Sequence, residues 1–286
     1  MKIVIASGKG GVGKSMLASS LCMLLAQKNK IVAIDADVDA PNLHLWLGEG
    51  ENWDQTKEIS VLEKAVIDKP KCNLCGKCVE ICAFGAIEMV SGKPKVNEFF
   101  CEGCGACEVV CPQKAISLKK VKNAQIRVKN NVFGFSLVSA QLYPGETGSG
   151  KIVDQLKVEA AKFDREIMIL DSPAGIGCPV IAALNGSDLA VLITEPTPSG
   201  LTDLKRVLKV VNHFKIPWRV VVNKWDINRP KTKKIIKWAN NNFLGKISYD
   251  QKIFQAIANL EPILTTDLPA KAEILKIYRQ LVELIK

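Results

Sequence analysis

Residues 8–15 read Gly-Lys-Gly-Gly-Val-Gly-Lys-Ser, which matches the phosphate-binding pattern G-x-x-x-x-G-K-[ST]. An apolar run at residues 2–6 precedes this stretch, and a run rich in Ala, Leu and Met at residues 16–28 follows it. The strand before the loop and the helix after it are therefore both indicated. Glycines let backbone N–H groups point at phosphate oxygens, and the helix adds the positive end of its dipole. The stretch predicts a nucleotide site.

The residues of this loop have distinct expected tasks. Lys14 reaches the β and γ phosphates of the nucleotide, and the Ser15 hydroxyl binds Mg²⁺. The predicted phosphate site as a whole comprises Gly8, Lys9, Gly10, Gly11, Val12, Gly13, Lys14 and Ser15. Residues 145–152 nearly repeat the pattern, but Ile152 lacks the hydroxyl that Mg²⁺ requires. This second stretch predicts a loop and the start of a helix.

Short runs rich in β-branched residues recur along the chain, and each ends in a polar loop. Runs that are apolar throughout indicate strands buried on both faces, as in a parallel sheet. They alternate with helical segments such as residues 201–214. The predicted fold class is α/β, a mostly parallel P-loop NTPase sheet flanked by helices, with strands at residues 2–6, 31–35, 167–170, 189–193 and 219–222.

Cysteines form the second motif, because eight of the ten lie between Cys72 and Cys111. They make two runs of C-x2-C-x2-C-x3-C, the ligand spacing of bacterial ferredoxins, in which the fourth cysteine of each run serves the other cluster. Paired C-x2-C motifs also build zinc ribbons, an alternative that the doubled run disfavours. The predicted [4Fe–4S] ligands are Cys72, Cys75, Cys78 and Cys111 for one cluster, and Cys101, Cys104, Cys107 and Cys82 for the second.

The cysteine-rich stretch contains an internal repeat of strand, cluster loop, short helix and strand. A repeat this small cannot fill a core with side chains alone, so we expect the clusters to act as its core. Residues 59–120 are therefore predicted to be an inserted, small α+β, bacterial-ferredoxin-like domain, and residues 1–58 and 121–286 a discontinuous ATPase domain. Alternating polar and apolar residues within 121–143 indicate strands that return to the sheet.

Charge, hydrophobicity and cysteine usage limit the classes of binding partner and the cellular compartment that the sequence predicts. The formal charge of +10 would suggest an anionic partner, but two clusters of about −2 each lower it to about +6, and the lysines are scattered. We expect no nucleic acid partner. No apolar run approaches the roughly 20 residues that span a bilayer, so no stable membrane insertion is expected. Cysteines at metal-ligand spacing, after an opening that reads as a strand, predict a reducing, cytoplasmic setting.

Lys9 makes the phosphate loop more specific. A second lysine early in the loop resembles the deviant Walker A motif of the MinD, ParA, Mrp and nitrogenase iron protein group, in which it crosses a dimer interface to the phosphates of the other subunit's ATP. Residues 35–43 resemble the first switch of that group and residues 171–175 its second switch. Residues 221–226 resemble its adenine-binding strand end, which implies that Asn223 and Asp226 contact the nucleotide.

Three aspartates have candidate roles at this site. Asp171 ends an apolar strand, where its carboxylate can hold Mg²⁺ through water. Asp37 is expected to orient the attacking water. Asp35 and Asp39 could act with it, or could instead cap a turn. The predicted catalytic set is Lys9, Lys14, Asp37 and Asp171.

Two further features keep alternatives open. Cys178 lies seven residues after Asp171, an offset that resembles a bridging-cluster cysteine of the nitrogenase iron protein, but it could equally be a local thiol of the switch. Residues 272–286 form an amphipathic pattern like the membrane-binding terminus of MinD. Packing against the core is the favoured interpretation of that segment.

Along its whole length the chain resembles MinD-superfamily ATPases with an inserted ferredoxin domain. This implies ATP, Mg²⁺ and two [4Fe–4S] clusters as cofactors, a dimer with an identical or paralogous subunit, and a redox partner protein. The leading hypothesis is electron transfer gated by ATP, because residues 37–43 lead from the first switch toward the insertion. The alternatives are an iron–sulfur assembly or carrier ATPase of the Mrp type, and a ParA-like or MinD-like positioning switch with structural clusters.

Overall fold

The computed structural model describes residues 1–285, which divide into two compact units. Unit 1 comprises residues 1–56, 126–141 and 149–285, and unit 2 comprises residues 57–125 and 142–148. The predicted insertion at 59–120 lies within unit 2. Unit 2 is larger because the buried Asn123 side chain ties its strands together, accepting from the Val61 N–H at 3.0 Å and donating to the Thr147 carbonyl at 3.0 Å.

Strands and helices alternate through most of unit 1, whereas unit 2 is built from short strands and two short helices. The strands are β1 (Lys2–Ser7), β2 (Ile31–Asp35), β3 (Gln55–Ile59), β4 (Leu62–Ile67), β5 (Ile87–Val90), β6 (Lys93–Val96), β7 (Ile116–Val121), β8 (Ala124–Asn130), β9 (Ser136–Leu142), β10 (Ile167–Ala174), β11 (Leu189–Thr194), β12 (Trp218–Asn223) and β13 (Phe243–Ile247). The helices are α1 (Lys14–Ala26), α2 (Leu43–Trp46), α3 (Lys77–Ile81), α4 (Ala106–Val109), α5 (Ser149–Ala160), α6 (Cys178–Leu184), α7 (Gly200–His213), α8 (Arg229–Ala239), α9 (Lys252–Ala258) and α10 (Pro269–Ile285).

A central sheet organises unit 1. Within residues 1–285 its nine strands run in the order β13-β12-β11-β1-β10-β2-β9-β8-β3, and each neighbouring pair from β13 to β9 is parallel. Every residue of β2 and β11 is buried, as expected for strands covered by helices on both faces. The predicted α/β fold with a mostly parallel sheet is confirmed, and the strands expected within 121–143 are β8 and β9.

Two helices show how the sheet is covered. In α1 every residue from Lys14 to Leu25 is buried, so this helix lies between the sheet and other elements. Ile274, Ile277 and Leu281 of α10 are buried in the main core, and each contributes roughly 1.5–3 kcal/mol relative to exposure. The amphipathic segment at 272–286 therefore packs against the core over residues 272–285, as favoured from its sequence, and residue 286 lies outside the described residues. No helix among residues 1–285 combines the length and apolarity that a bilayer-spanning segment needs.

Unit 2 shows the predicted repeat as two halves, β4–α3–β5 and β6–α4–β7. The halves interlock, because β4 pairs antiparallel with β7 and β5 pairs antiparallel with β6. The buried residues of its core are Ala65, Cys78, Ile87, Cys107 and Ile116. Three aliphatic side chains and two thiols make a small core, and Cys82, Cys101 and Cys111 pack against it.

Candidate nucleotide site and cysteine cavities

The phosphate loop connects β1 to α1 at the carboxyl edge of the sheet. Gly11 and Gly13 adopt φ values of 73° and 91°, in the left-handed region that glycine adopts without strain. A cavity of about 250 Å³ opens beside the loop. The loop lines one side of it, and other lining residues include Asp37, Trp46, Asn223, Tyr249, Ile253 and Phe254.

Asn223 fixes the loop from the end of β12. Its Nδ2 donates to the Val12 carbonyl at 2.8 Å, and its Oδ1 accepts from the Lys224 N–H at 2.9 Å. A Cβ atom at Gly13 would overlap with Asn223 Nδ2, so glycine is required there. Asp226 does not line the cavity, because its Oδ1 accepts from the Tyr249 N–H at 2.8 Å. Nucleotide contact by Asn223 and Asp226 stays a prediction.

Lys14 and Asp171 form a buried ion pair. The Lys14 Nζ lies 2.8 Å from the Asp171 Oδ1, and their side chains are 9% and 0% exposed. Burial alone would lower the pKa of Lys14, but the attraction of Asp171 outweighs it and the pKa is raised. The second Asp171 oxygen, Oδ2, is buried with no hydrogen-bond partner among the described residues. That free acceptor fits the expected role of holding Mg²⁺ through water.

Asp35, Asp37 and Asp39 differ in how deeply they are buried. Asp35 is fully buried and accepts from the Asn42 and Leu43 N–H groups, both at 2.8 Å, so it caps the turn that begins α2. Burial and the neighbouring Asp171 raise the pKa of Asp35 to about 7. Asp37 is half-buried and lines the cavity, and burial raises its pKa. Asp39 is exposed. The turn-capping alternative thus describes Asp35.

Glu195 joins two lysines at the edge of the loop, and sequence reasoning missed it. Its Oε1 is 2.6 Å from the Lys9 Nζ, and its Oε2 is 3.0 Å from the Lys224 Nζ. The Lys224 ammonium also donates to the Gly11 carbonyl at 3.1 Å. A signal was available, because Glu195 directly follows the buried strand β11 and polar residues at the carboxyl ends of parallel strands border ligand sites.

The apolar side of the cavity was also missed. Trp46, Tyr249, Ile253 and Phe254 line it, and Tyr249 and Phe254 are 46% and 57% exposed. Aromatic faces of this kind can pack against a planar base. The sequence carried no motif for them, since they come from α2 and from the segment around α9.

Each predicted cysteine quartet lines its own cavity in unit 2. Cys72, Cys75, Cys78 and Cys111 border one cavity, and Cys82, Cys101, Cys104 and Cys107 border the other. Backbone N–H groups donate to the sulfurs at matching places in the repeat, from Ala86 to Cys82 and from Ala115 to Cys111, both at 3.2 Å. Among residues 1–285 no group of three or more His, Cys, Asp or Glu side chains is arranged around a single metal ion.

Cys178 begins α6 and is exposed. A Cβ atom on Gly150 would lie 3.3 Å from the Cys178 Cβ, so the thiol-bearing residue packs closely against α5. Its role as a bridging ligand stays a prediction, beside the alternative of a local thiol.

Comparison with known proteins assigns the nucleotide site to a family. The family model described as the CobQ/CobB/MinD/ParA nucleotide binding domain matches residues 3–263. The chain belongs to this family. An uncharacterized protein of Methanocaldococcus jannaschii is 36% identical to this CobQ/CobB/MinD/ParA member, over 100% of this chain and 98% of the relative.

Other relatives carry functional names. An iron-sulfur cluster carrier protein of Pyrococcus abyssi is 26% identical, over 100% of this chain and 86% of the carrier. The septum site-determining protein MinD of Pyrococcus horikoshii, solved with Mg-ADP, aligns with a TM-score of 0.62 at 16% identity, covering 99% of this chain and 96% of MinD. The structural match shows a shared fold, that of a P-loop ATPase.

Proposed function

We propose that this protein hydrolyses ATP and couples a nucleotide-driven switch between two subunits to electron transfer through two [4Fe–4S] clusters. The observation that carries the proposal is the pairing of two features in one chain. The CobQ/CobB/MinD/ParA phosphate loop has a second lysine, Lys9, and the two cysteine quartets each border a separate cavity.

The nucleotide half of the proposal rests on four side chains. When the nucleotide binds, the Lys14 ammonium leaves its ion pair with Asp171 and contacts the β and γ phosphates, which frees the Asp171 carboxylate. Ser15 and Asp171 would hold Mg²⁺, which supplies charge neutralisation at the phosphates. Asp37 lines the same cavity, where burial raises its pKa, and it orients the attacking water.

The redox half rests on the cysteine cavities. The first quartet is Cys72, Cys75, Cys78 and Cys111, and the second is Cys82, Cys101, Cys104 and Cys107. Each quartet borders one cavity, which supports four-thiolate ligation of a cluster there. When bound, the clusters supply one-electron transfer. Backbone N–H groups of Ala86 and Ala115 stabilise negative charge on the sulfurs, which favours the reduced form.

Pairing of two subunits provides the switch. The Lys9 side chain is 34% exposed, so its ammonium is accessible to the phosphates of a second subunit. The second subunit is identical or a paralogue, and a redox partner protein exchanges electrons with the clusters. Lys9 thereby makes the closed dimer depend on bound ATP.

A cluster carrier of the Mrp type is the second candidate. The similarity of the whole chain to iron-sulfur cluster carrier proteins of Pyrococcus favours it. In that function the clusters are cargo that leaves the protein. Complete four-thiolate ligation by each quartet opposes ready release.

Cluster transfer distinguishes the two candidates. Anaerobically prepared protein is incubated with Mg·ATP and an apo-ferredoxin acceptor, and iron and sulfide are measured in both proteins after separation. The electron-transfer function predicts about eight irons retained per chain and continued ATP hydrolysis, since each of two clusters holds four irons. Transfer of clusters to the acceptor that requires ATP would support the carrier function instead.

A further inference from the structure

The Glu195 carboxylate forms ion pairs with two ammonium groups, those of Lys9 and Lys224, whose side chains differ in exposure. Its side chain is 9% exposed, while that of Lys9 is 34% exposed and that of Lys224 is 23% exposed. Burial alone would raise the pKa of Glu195, but the hydrogen bonds from Lys9 and Lys224 outweigh it and the pKa is lowered. Glu195 therefore stays charged at neutral pH and attracts both lysines.

The position of Glu195 is fixed by its turn. Its carbonyl accepts from the Thr197 N–H at 2.8 Å, and the Thr194 hydroxyl donates to the Gly200 carbonyl at 3.0 Å. A Cβ atom on Gly200 would overlap with the Glu195 carbonyl oxygen, so this turn packs without space to move. The turn thus fixes the Glu195 backbone, and the Lys224 Nζ, 3.0 Å from Oε2, holds its carboxylate, so the Lys9 side chain is the group that moves when the ion pair between Lys9 and Glu195 opens.

We propose that Glu195 is a positioning residue that holds the Lys9 ammonium within its own subunit until two subunits pair on ATP. The inference rests on the proposed function, in which Lys9 reaches the ATP of the second subunit. The phosphates and Glu195 compete for one ammonium group. Lys224 remains beside Glu195 when Lys9 leaves, so release does not strand a buried charge.

The substitution Glu195→Gln tests this role, because it removes the charge but keeps the size and an oxygen that accepts from Lys224. Dimerisation is measured by sedimentation of the cluster-loaded protein with a non-hydrolysable ATP analogue and Mg²⁺. Each dimer needs two such pairs to open, so a roughly threefold effect for each ion pair gives half-dimerisation at roughly tenfold lower protein concentration. Asp203, in the first turn of α7, packs against Gly8 of the loop. Asp203→Asn removes its charge, is the matched control and leaves the midpoint unchanged.

A second readout needs no dimer. In nucleotide-free protein, Lys9 should acylate roughly threefold faster in Glu195→Gln than in wild type, with the exposed Lys28 as internal reference. An unchanged Lys9 acylation rate, or a dimerisation midpoint that Asp203→Asn shifts equally, overturns the role of Glu195. If wild type itself does not dimerise on ATP but Lys9 acylation responds to Glu195→Gln, then the proposed function fails and the local restraint on Lys9 stands.

Discussion

At the residue scale, both lysines of the phosphate loop are paired with carboxylates of their own chain. Lys14 contacts Asp171 in a buried pair, and Lys9 contacts Glu195 in a partly exposed one. The motif predicted both lysines, but it could not predict these partners, because Asp171 is 157 residues from Lys14 and the sheet brings them together. A phosphate that approaches either lysine therefore competes with a carboxylate of the lysine's own chain.

Removing only one partner of the buried ion pair between Lys14 and Asp171 should lower the free energy of unfolding more than removing both partners. Lys14→Met leaves the Asp171 carboxylate buried without its ion pair, which should reduce the free energy of unfolding by about 3–5 kcal/mol. Lys14→Met combined with Asp171→Asn should recover part of that loss. Urea unfolding of nucleotide-free protein measures both. A double variant as unstable as the sum of the two single variants would contradict the pairing.

Gly13 and Gly10 provide a matched test of loop geometry. Gly13→Ala places a Cβ against Asn223 Nδ2 at a left-handed φ, and should destabilise the nucleotide-free protein by about 2–4 kcal/mol. A Cβ on Gly10 meets nothing within 4 Å, so Gly10→Ala should leave the thermal midpoint nearly unchanged. Equal midpoints for the two variants would show that Asn223 does not constrain the loop.

At the element scale, strands could be predicted better than the segments between them. The predicted strand at 167–170 extends to Ala174, because β10 continues to pair with β1 beyond Asp171. Helix α1 begins at Lys14, two residues before the predicted start, because Gly13 is left-handed and ends the loop. The aromatic side of the cavity could not be predicted, since α2 and the region of α9 show no periodic pattern that reports a ligand site.

Helix α2 carries a buried histidine that predicts a pH dependence. His44 is 1% exposed, and its Nε2 lies 3.1 Å from the exposed Glu51. Burial lowers the pKa of His44 below 6.5 despite Glu51, so the ring is neutral at pH 7 and the contact is a hydrogen bond rather than an ion pair. The unfolded chain then binds a proton that the folded chain does not. Stability should fall as pH decreases from 6.5 to the lowered pKa.

Substitution of His44 tests its contribution to the pH dependence of stability. His44→Gln should flatten the dependence of the urea midpoint on pH below 6.5, whereas His213→Gln, at an exposed position, should not. If the two variants keep the same slope as wild type, another group produces the acid sensitivity.

Crossed ligation can be tested within the two cysteine runs. If Cys82 serves the cluster of the second run, Cys82→Ser and Cys104→Ser should perturb the same one of the two cluster signals in electron paramagnetic resonance. Cys111→Ser and Cys75→Ser should perturb the other. Grouping of Cys82→Ser with Cys75→Ser would contradict the crossed assignment and the cavities that support it.

At the scale of the whole molecule, the sequence was informative wherever chemistry requires fixed spacing. The phosphate loop and the cysteine runs could be located because phosphate and cluster ligation need particular residues at particular intervals. Unit 2 exceeds the predicted 59–120 because Asn123 and residues 142–148 join it through hydrogen bonds that no motif reports. Glu195 escaped prediction for the same reason, as its partners depend on strand order.

The proposed function requires that nucleotide state controls the redox behaviour of the clusters. The most direct test is the anaerobic rate at which a reduced viologen donor reduces the oxidised, iron-replete protein, followed by stopped-flow absorbance with and without Mg·ATP. We expect Mg·ATP to change this rate about tenfold in wild type, a coupling of about 1.4 kcal/mol, and not to change it in Lys14→Met. Equal rates with and without Mg·ATP in wild type that binds ATP would rule out nucleotide control of the clusters.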